Sequence, residues 1–193
     1  MRVRLPASRL SPVTVSVAVS MAAIVAVSLA VSAAPGAAQP MLSGRYEAMS
    51  TTAMSITGDL TVDAASLTCA LDQTYGTKPV GRVAATQDYA KGAGSWATLL
   101  GVPASLEVEL REVAVEKVGK KAPNGGLCAP AKTTFLALVR TLEPGSAPGT
   151  RRITGLRLAA FKGAQAPGPD GGETDLCGTF NYTAASGKTK ANK

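Results

Sequence analysis

Met54-Ser55-Ile56-Thr57-Gly58-Asp59-Leu60-Thr61-Val62 sets Met54, Ile56, Leu60 and Val62 on one parity and Ser55, Thr57, Asp59 and Thr61 on the other. Successive side chains of an extended chain point to opposite faces, so this alternation predicts a strand buried on one side only. Asp63-Ala64-Ala65 interrupts it, and Ser66-Leu67-Thr68-Cys69-Ala70-Leu71 resumes it with Leu67, Cys69 and Leu71 on one face. The two runs read as a hairpin. Working outward, Leu42–Met49 predicts an earlier strand, and Val80–Ala85 predicts a weaker later one.

Ser105–Val118 carries Leu106, Val108 and Leu110 against Glu107, Glu109 and Arg111, after which Val113 and Val115 take over the apolar parity. A bulge near Arg111-Glu112 accounts for the flip, since one extra residue exchanges the two faces of a strand. On this reading Glu107, Glu109 and Arg111 form a charged solvent face. The pairs Glu107/Arg111 and Glu116/Lys120 stand at i, i+4 and keep a helix open, but valine and leucine at strand spacing favour the strand. Lys132–Leu142, Arg151–Lys162 and Thr174–Thr183 complete the set. The breaker-rich stretches Pro123–Gly126, Glu143–Gly149 and Gly163–Gly172 separate these last runs.

The prediction is an all-β fold, an antiparallel meander of about eight strands closed or nearly closed into a small barrel, because closure removes exposed strand edges. A two-sheet sandwich is the alternative. Lys132–Leu142 is apolar on both faces, with Phe135, Ala137 and Val139 against Leu136 and Leu138, so its outer side needs a cover. Trp96 and Leu99-Leu100, in a stretch that reads as a helical turn or a lid, are the candidates.

The start of the chain follows a different rule. Arg2, Arg4 and Arg9 precede an apolar run from Val13 to Ala34, and small residues close it at Pro35-Gly36-Ala37-Ala38. That is the pattern of a secretory signal peptide, with Gly36 and Ala38 suiting cleavage after Ala38. A retained anchor is the competing reading, since the run is long enough to span a bilayer. The expected organisation is a signal over residues 1–38, a single β-domain over 39–187 and a basic disordered tail over 188–193. Localisation is then periplasmic or secreted, with no membrane span after cleavage.

Of 20 Lys plus Arg, the signal carries three, leaving 17 against 13 acidic residues. Lys188, Lys190 and Lys193 lie in the tail, so the body is close to neutral, at 14 against 13. With only eight scattered aromatics, neither a basic face nor a stacking platform is present, and nucleic acid is not an expected partner.

The chain has no histidine, which removes imidazole bases, His-containing triads and His metal ligands. Three cysteines cannot make a four-thiolate zinc site. Export would place all three where disulfides persist. Cys69 shares its face with Leu67 and Leu71 and reads as a free thiol in the core. Cys177 shares its face with Asp175, Thr179 and Asn181, and Cys128 ends a loop, so Cys128–Cys177 reads as the disulfide. Pairings that involve Cys69 stay open.

Other patterns carry less. Ser186-Gly187-Lys188-Thr189 imitates the end of a phosphate-binding loop, but Tyr182 stands where the leading glycine belongs. Asp170, Glu173 and Asp175 could offer oxygen ligands to calcium, yet their spacing matches no EF-hand. Asn181-Tyr182-Thr183 has the form of a glycosylation sequon. No catalytic, cofactor-binding or metal-ligating residue is assigned.

Gly44-Arg45-Tyr46, Thr52–Asp59, Leu158–Gly163 and Leu176–Tyr182 together resemble a group of small exported bacterial proteins of unknown function. The most specific parts are Thr-Ala-Met-Ser-Ile-Thr-Gly-Asp and Leu-Cys-Gly-Thr-Phe. The resemblance implies export and a Cys128–Cys177 pair and carries no activity. Gly44-Arg45-Tyr46 is also similar to the Gly-x-Trp start of lipocalins, with Tyr46 in place of Trp. The functional expectation is a non-enzymatic exported module that binds a protein partner. The alternative is a carrier holding a small apolar ligand inside a lipocalin-like barrel, and the size of the side chains filling the interior separates the two.

Overall fold

The computed structural model describes residues 41–144 and 152–186, all within one compact unit, Gln39–Lys193. The predicted signal, residues 1–38, and the predicted tail, 188–193, lie outside the described residues. Among the described residues, ten strands and two short α-helices follow in chain order. They are β1 (Gly44–Ala48), α1 (Thr51–Ile56), β2 (Leu60–Val62), β3 (Ser66–Cys69) and β4 (Gln73–Ala84). Next come β5 (Asp88–Ala90), β6 (Gly94–Ser95), α2 (Trp96–Leu100), β7 (Glu107–Val118), β8 (Phe135–Leu142), β9 (Ile153–Phe161) and β10 (Leu176–Ala184).

Eight of the strands close into an antiparallel barrel in the order β1-β10-β9-β8-β7-β4-β3-β2, a meander whose first strand pairs its last. Tyr46 lies opposite Ala184, and Ala48 opposite Tyr182. β2 and β3 form the hairpin around Asp63–Ala65, with Leu60 opposite Cys69 and Val62 opposite Leu67.

The stretch Met54–Val62 does not form one strand. Residues 51–56 are helical, and only Leu60–Val62 is extended. Ser50 explains the difference: its hydroxyl accepts the Ala53 N–H at 3.2 Å and caps the helix. Gly58, at φ +60°, then turns the chain back toward the barrel in a backbone state that favours glycine. The same Ser50 oxygen accepts the Asn181 N–H of β10 at 3.2 Å, so one side chain caps α1 and fastens it to the barrel. Ser50→Ala removes both bonds and is expected to lower stability by about 1–2 kcal/mol, read as a fall in the thermal midpoint.

The parity flip in β7 is also displaced. Val115 pairs with Gly76 and Val113 with Thr77, so the extra residue is Ala114 rather than Arg111-Glu112. A second irregularity sits on β4 at Val80, between the pairs Pro79–Arg111 and Gly81–Leu110. β3 accompanies β4 only as far as Gly76, and among the described residues Lys78–Ala84 pair with β7 alone. This free edge carries Lys78, Pro79 and a bulge, the features that make an edge a poor template for another strand.

Two apolar clusters lie on opposite sides of the barrel wall. The inner one gathers Leu60, Leu67, Leu136, Leu138, Leu156, Leu158 and Phe180. The outer one packs the excursion 85–106 against Val108, Leu110, Ala137, Val139, Ala159 and Phe161. Trp96, 0% exposed, anchors that cover with its ring centroid 5.7 Å from that of Phe161. The apolar outer side of β8 therefore does have a cover, and Trp96 with Leu100 supplies it.

Candidate functional site

The barrel interior is occupied by its own side chains. Leu67, Tyr75, Leu136, Leu138 and Leu156 are fully buried, and Phe180 and Tyr182 are 1% exposed. An eight-stranded barrel has an interior just wide enough for such side chains to fill. What varies is how each end is finished, and both ends are polar.

At one end stands a buried ion pair. Arg111 is 0% exposed and Glu109 2%. The Arg111 guanidinium donates from Nε to Glu109 Oε1 at 2.7 Å, from Nη1 to the Asp63 carbonyl at 2.7 Å and from Nη2 to the Leu42 carbonyl at 2.7 Å. The Glu109 carboxylate accepts the Leu42 N–H at 3.0 Å and Arg82 Nη2 at 3.2 Å. Arg82 reaches on toward Glu107 at 3.9 Å, and Arg140 donates to the Ser43 carbonyl at 2.9 Å. Leu42 is thus held by both its N–H and its C=O, and the chain ahead of β1 is strapped across the barrel end.

This corrects the expectation of a charged solvent face. Glu109 and Arg111 point inward, while Val108 and Leu110 point outward under the Trp96 cover. The two carboxylates of that face do not form an acid–base pair, because Arg82 stands between Glu107 and Glu109 and Glu109 is saturated by donors.

The other end is closed by α1 and by the segment 119–134 between β7 and β8. The Tyr182 and Thr57 hydroxyls lie 2.8 Å apart, and Thr57 Oγ1 also donates to the Ala53 carbonyl at 2.9 Å. The Tyr75 hydroxyl donates to Gln73 Oε1 at 2.7 Å and accepts the Leu127 N–H at 3.0 Å. Gln73 Nε2 donates to the Ile56 carbonyl. Burial raises both Tyr75 and Tyr182 above the ordinary phenol range.

Cys128 and Cys177 meet in a disulfide with sulfurs 1.98 Å apart and Cα atoms 5.1 Å apart, joining the 119–134 segment to the start of β10. Cys69 stays apart as a free thiol, 4% exposed in the inner cluster. Burial pushes its pKa from 9.0 to about 12. A thiol held protonated in this way is not a nucleophile.

Among the described residues, no three His, Cys, Asp or Glu side chains converge on one point, Asp170, Glu173 and Asp175 included. The imitation of a phosphate-binding loop runs out of the described residues after Ser186. Asn181 lies within β10, opposite Arg157. A comparison with protein-family models, curated proteins and solved structures finds no match to the chain.

Outside the barrel, the exposed large apolar side chains include Met49, 50% exposed, and Met54, 55% exposed. With Ser50 as N-cap they occupy the position before the cap and the fourth helical position, which a helix start brings to one side. Sequence reading missed the inward Glu109 and Arg111 and the polar floor of Gln73 and Tyr75. The signal available for the first was the two-sided apolar pattern of β8. A cover over its outer face also covers the neighbouring positions of β7, and so reassigns Val108 and Leu110.

Proposed function

We propose that this chain is a non-enzymatic exported module that binds a protein partner through its outer surface and loops. One observation carries the reading: the lumen is filled by Leu60, Leu67, Leu136, Leu138, Phe180 and Tyr182, and both ends are sealed, so contacts are left to the exterior. The outward positions of β1, β2, β3 and β10 support an aqueous setting, being Arg45, Glu47, Thr61, Thr68, Thr179 and Asn181. The disulfide supports a compartment outside the reducing cytoplasm. Among the described residues no helix is long and apolar enough to cross a membrane. The Met49–Met54 side of α1 is the proposed contact, since flexible thioethers adapt to a partner surface.

Native mass spectrometry of the exported protein tests the reading against that of a carrier. The expected species begins at Gln39, is two hydrogens lighter than the reduced chain and carries no apolar adduct. Chemical cross-linking in the compartment should then join the 49–54 region to a partner, and Met49→Glu with Met54→Glu should abolish that cross-link. A lipid retained in the native species and released on denaturation would instead support the carrier.

A further inference from the structure

The segment 119–134 is anchored to the barrel at its two ends and more lightly tied between them. It buries only Gly126, Leu127, Cys128 and Thr133, and leaves Lys121, Asn124, Gly125 and the run Ala129–Lys132 exposed. The anchors are the Gly119 and Lys121 N–H groups on Asp72 and the Thr134 hydroxyl on the Phe161 and Gly163 carbonyls. Between them the side-chain ties include the Leu127 N–H on Tyr75, the Thr133 N–H and hydroxyl on Glu116 at 3.2 and 2.9 Å, and the Cys128–Cys177 disulfide. Gly125 at φ +76° and Gly126 at φ +111° turn the backbone down toward Leu127 in a conformation that favours glycine. The free Cys69 thiol belongs to the same apolar cluster as Leu127 and Cys128, and Cys69 lines a recess with Lys121 of the segment. A recess of about 290 Å³ opens beside the disulfide, lined by Pro130, Lys162, Leu176 and Cys177, and Cys177 is itself half-buried.

We propose that residues 119–134 form a lid latched by the Cys128–Cys177 disulfide, and that reduction of this bond lifts the lid and opens the barrel end at Cys69 to solvent. The reductant is a dithiol reaching Cys177 through the recess. Its thiolate attacks the Cys177 sulfur and breaks the Cys177–Cys128 bond, giving a mixed disulfide and a Cys128 thiolate that takes up a proton. The second thiol of the reductant, once deprotonated, displaces Cys177, which is protonated in turn. The reductant leaves as its own disulfide, so two electrons and two protons pass to the chain. Closed, the lid keeps the odd thiol away from wrong pairing where disulfides form. Open, it exposes an apolar mouth that the oxidised protein hides.

The test follows alkylation of Cys69 by a maleimide on the folded full-length exported protein, with intact mass as readout and Cys69→Ala as the control for the site. With the disulfide intact, labelling should be negligible over hours. After dithiothreitol, or in the Cys128→Ser/Cys177→Ser variant, it should rise at least tenfold while far-ultraviolet circular dichroism and Trp96 fluorescence keep their folded values. Hydrogen exchange on the reduced protein should speed up at Leu127 and Thr133 and leave Leu138 and Leu158 protected. Two results overturn the proposal. One is a Cys69 labelling rate that reduction does not change. The other is labelling that appears only together with loss of the folded signals, which would make the disulfide a staple of the whole barrel rather than the catch of a lid.

Discussion

Arg111→Met is expected to cost about 3–5 kcal/mol of unfolding free energy, seen as a large drop in the urea midpoint, because it strands the Glu109 carboxylate inside the barrel without its main partner. Burial makes the effect large. The same pair on a solvent face would contribute under about 1 kcal/mol. A buried ion pair can often be replaced whole by apolar residues at little cost, but here the pair also serves backbone groups. The Leu42 N–H, the Leu42 carbonyl and the Asp63 carbonyl all lose partners in an Arg111→Met/Glu109→Leu variant. The double variant should therefore recover only part of the loss, with the Leu42 amide exchanging freely with solvent. Wild-type stability in that variant would show that the strap contacts contribute nothing.

Alkaline pH should unfold the protein steeply. Burial holds Cys69 protonated up to about pH 12, against 9.0 for an exposed thiol. Tyr75 and Tyr182 are likewise raised above the ordinary 10.0 of a phenol. Between those limits the unfolded chain has released protons that the native chain still binds, so stability falls as pH rises. Each such group contributes a slope of about 1.4 kcal/mol per pH unit. The thiol acts from pH 9 upward, and above pH 10 the three together give roughly 4 kcal/mol per unit, enough to exhaust the stability of a small domain within about two units. Denaturant titrations at pH 8, 9, 10 and 11 check this, and Cys69→Ala should delay the onset by removing the first slope. A level unfolding free energy from pH 9 to 11 would count against it.

The barrel was legible because its evidence is periodic: short alternating runs, breakers between them, and no long helical pattern to compete. What alternation cannot assign is which face of a strand meets the lumen. Val108 and Leu110 are buried, as apolar residues should be, but under Trp96 on the outside. That reversal carries Glu109 and Arg111 inward, where pairing with each other, with Arg82 and with distant backbone makes them tolerable. Residues 54–56 misled for a local reason. Met54, Ser55 and Ile56 satisfy a period of two by chance over three residues, whereas the decisive capping hydroxyl sits upstream at Ser50. The Cys128–Cys177 pair was legible from the face Cys177 occupies, but the seating of residues 119–134 over the barrel end was not, because the Tyr75–Leu127 bond joins positions 52 residues apart with no periodic trace between them.

The pairing of β1 with β10 has a consequence in time. Tyr46 leaves the ribosome long before Ala184, its partner across the seam. At about 5–20 residues per second the first strand waits on the order of ten seconds for the last one to be made. Until that strand is in place, wherever folding occurs, the meander cannot close, and β1 stands as an open edge on the side that β10 covers. The seam is therefore the last part of the wall to form. A nascent chain cut short before Leu176 never forms it, which makes the final strand the step that decides between a finished barrel and a sticky ribbon.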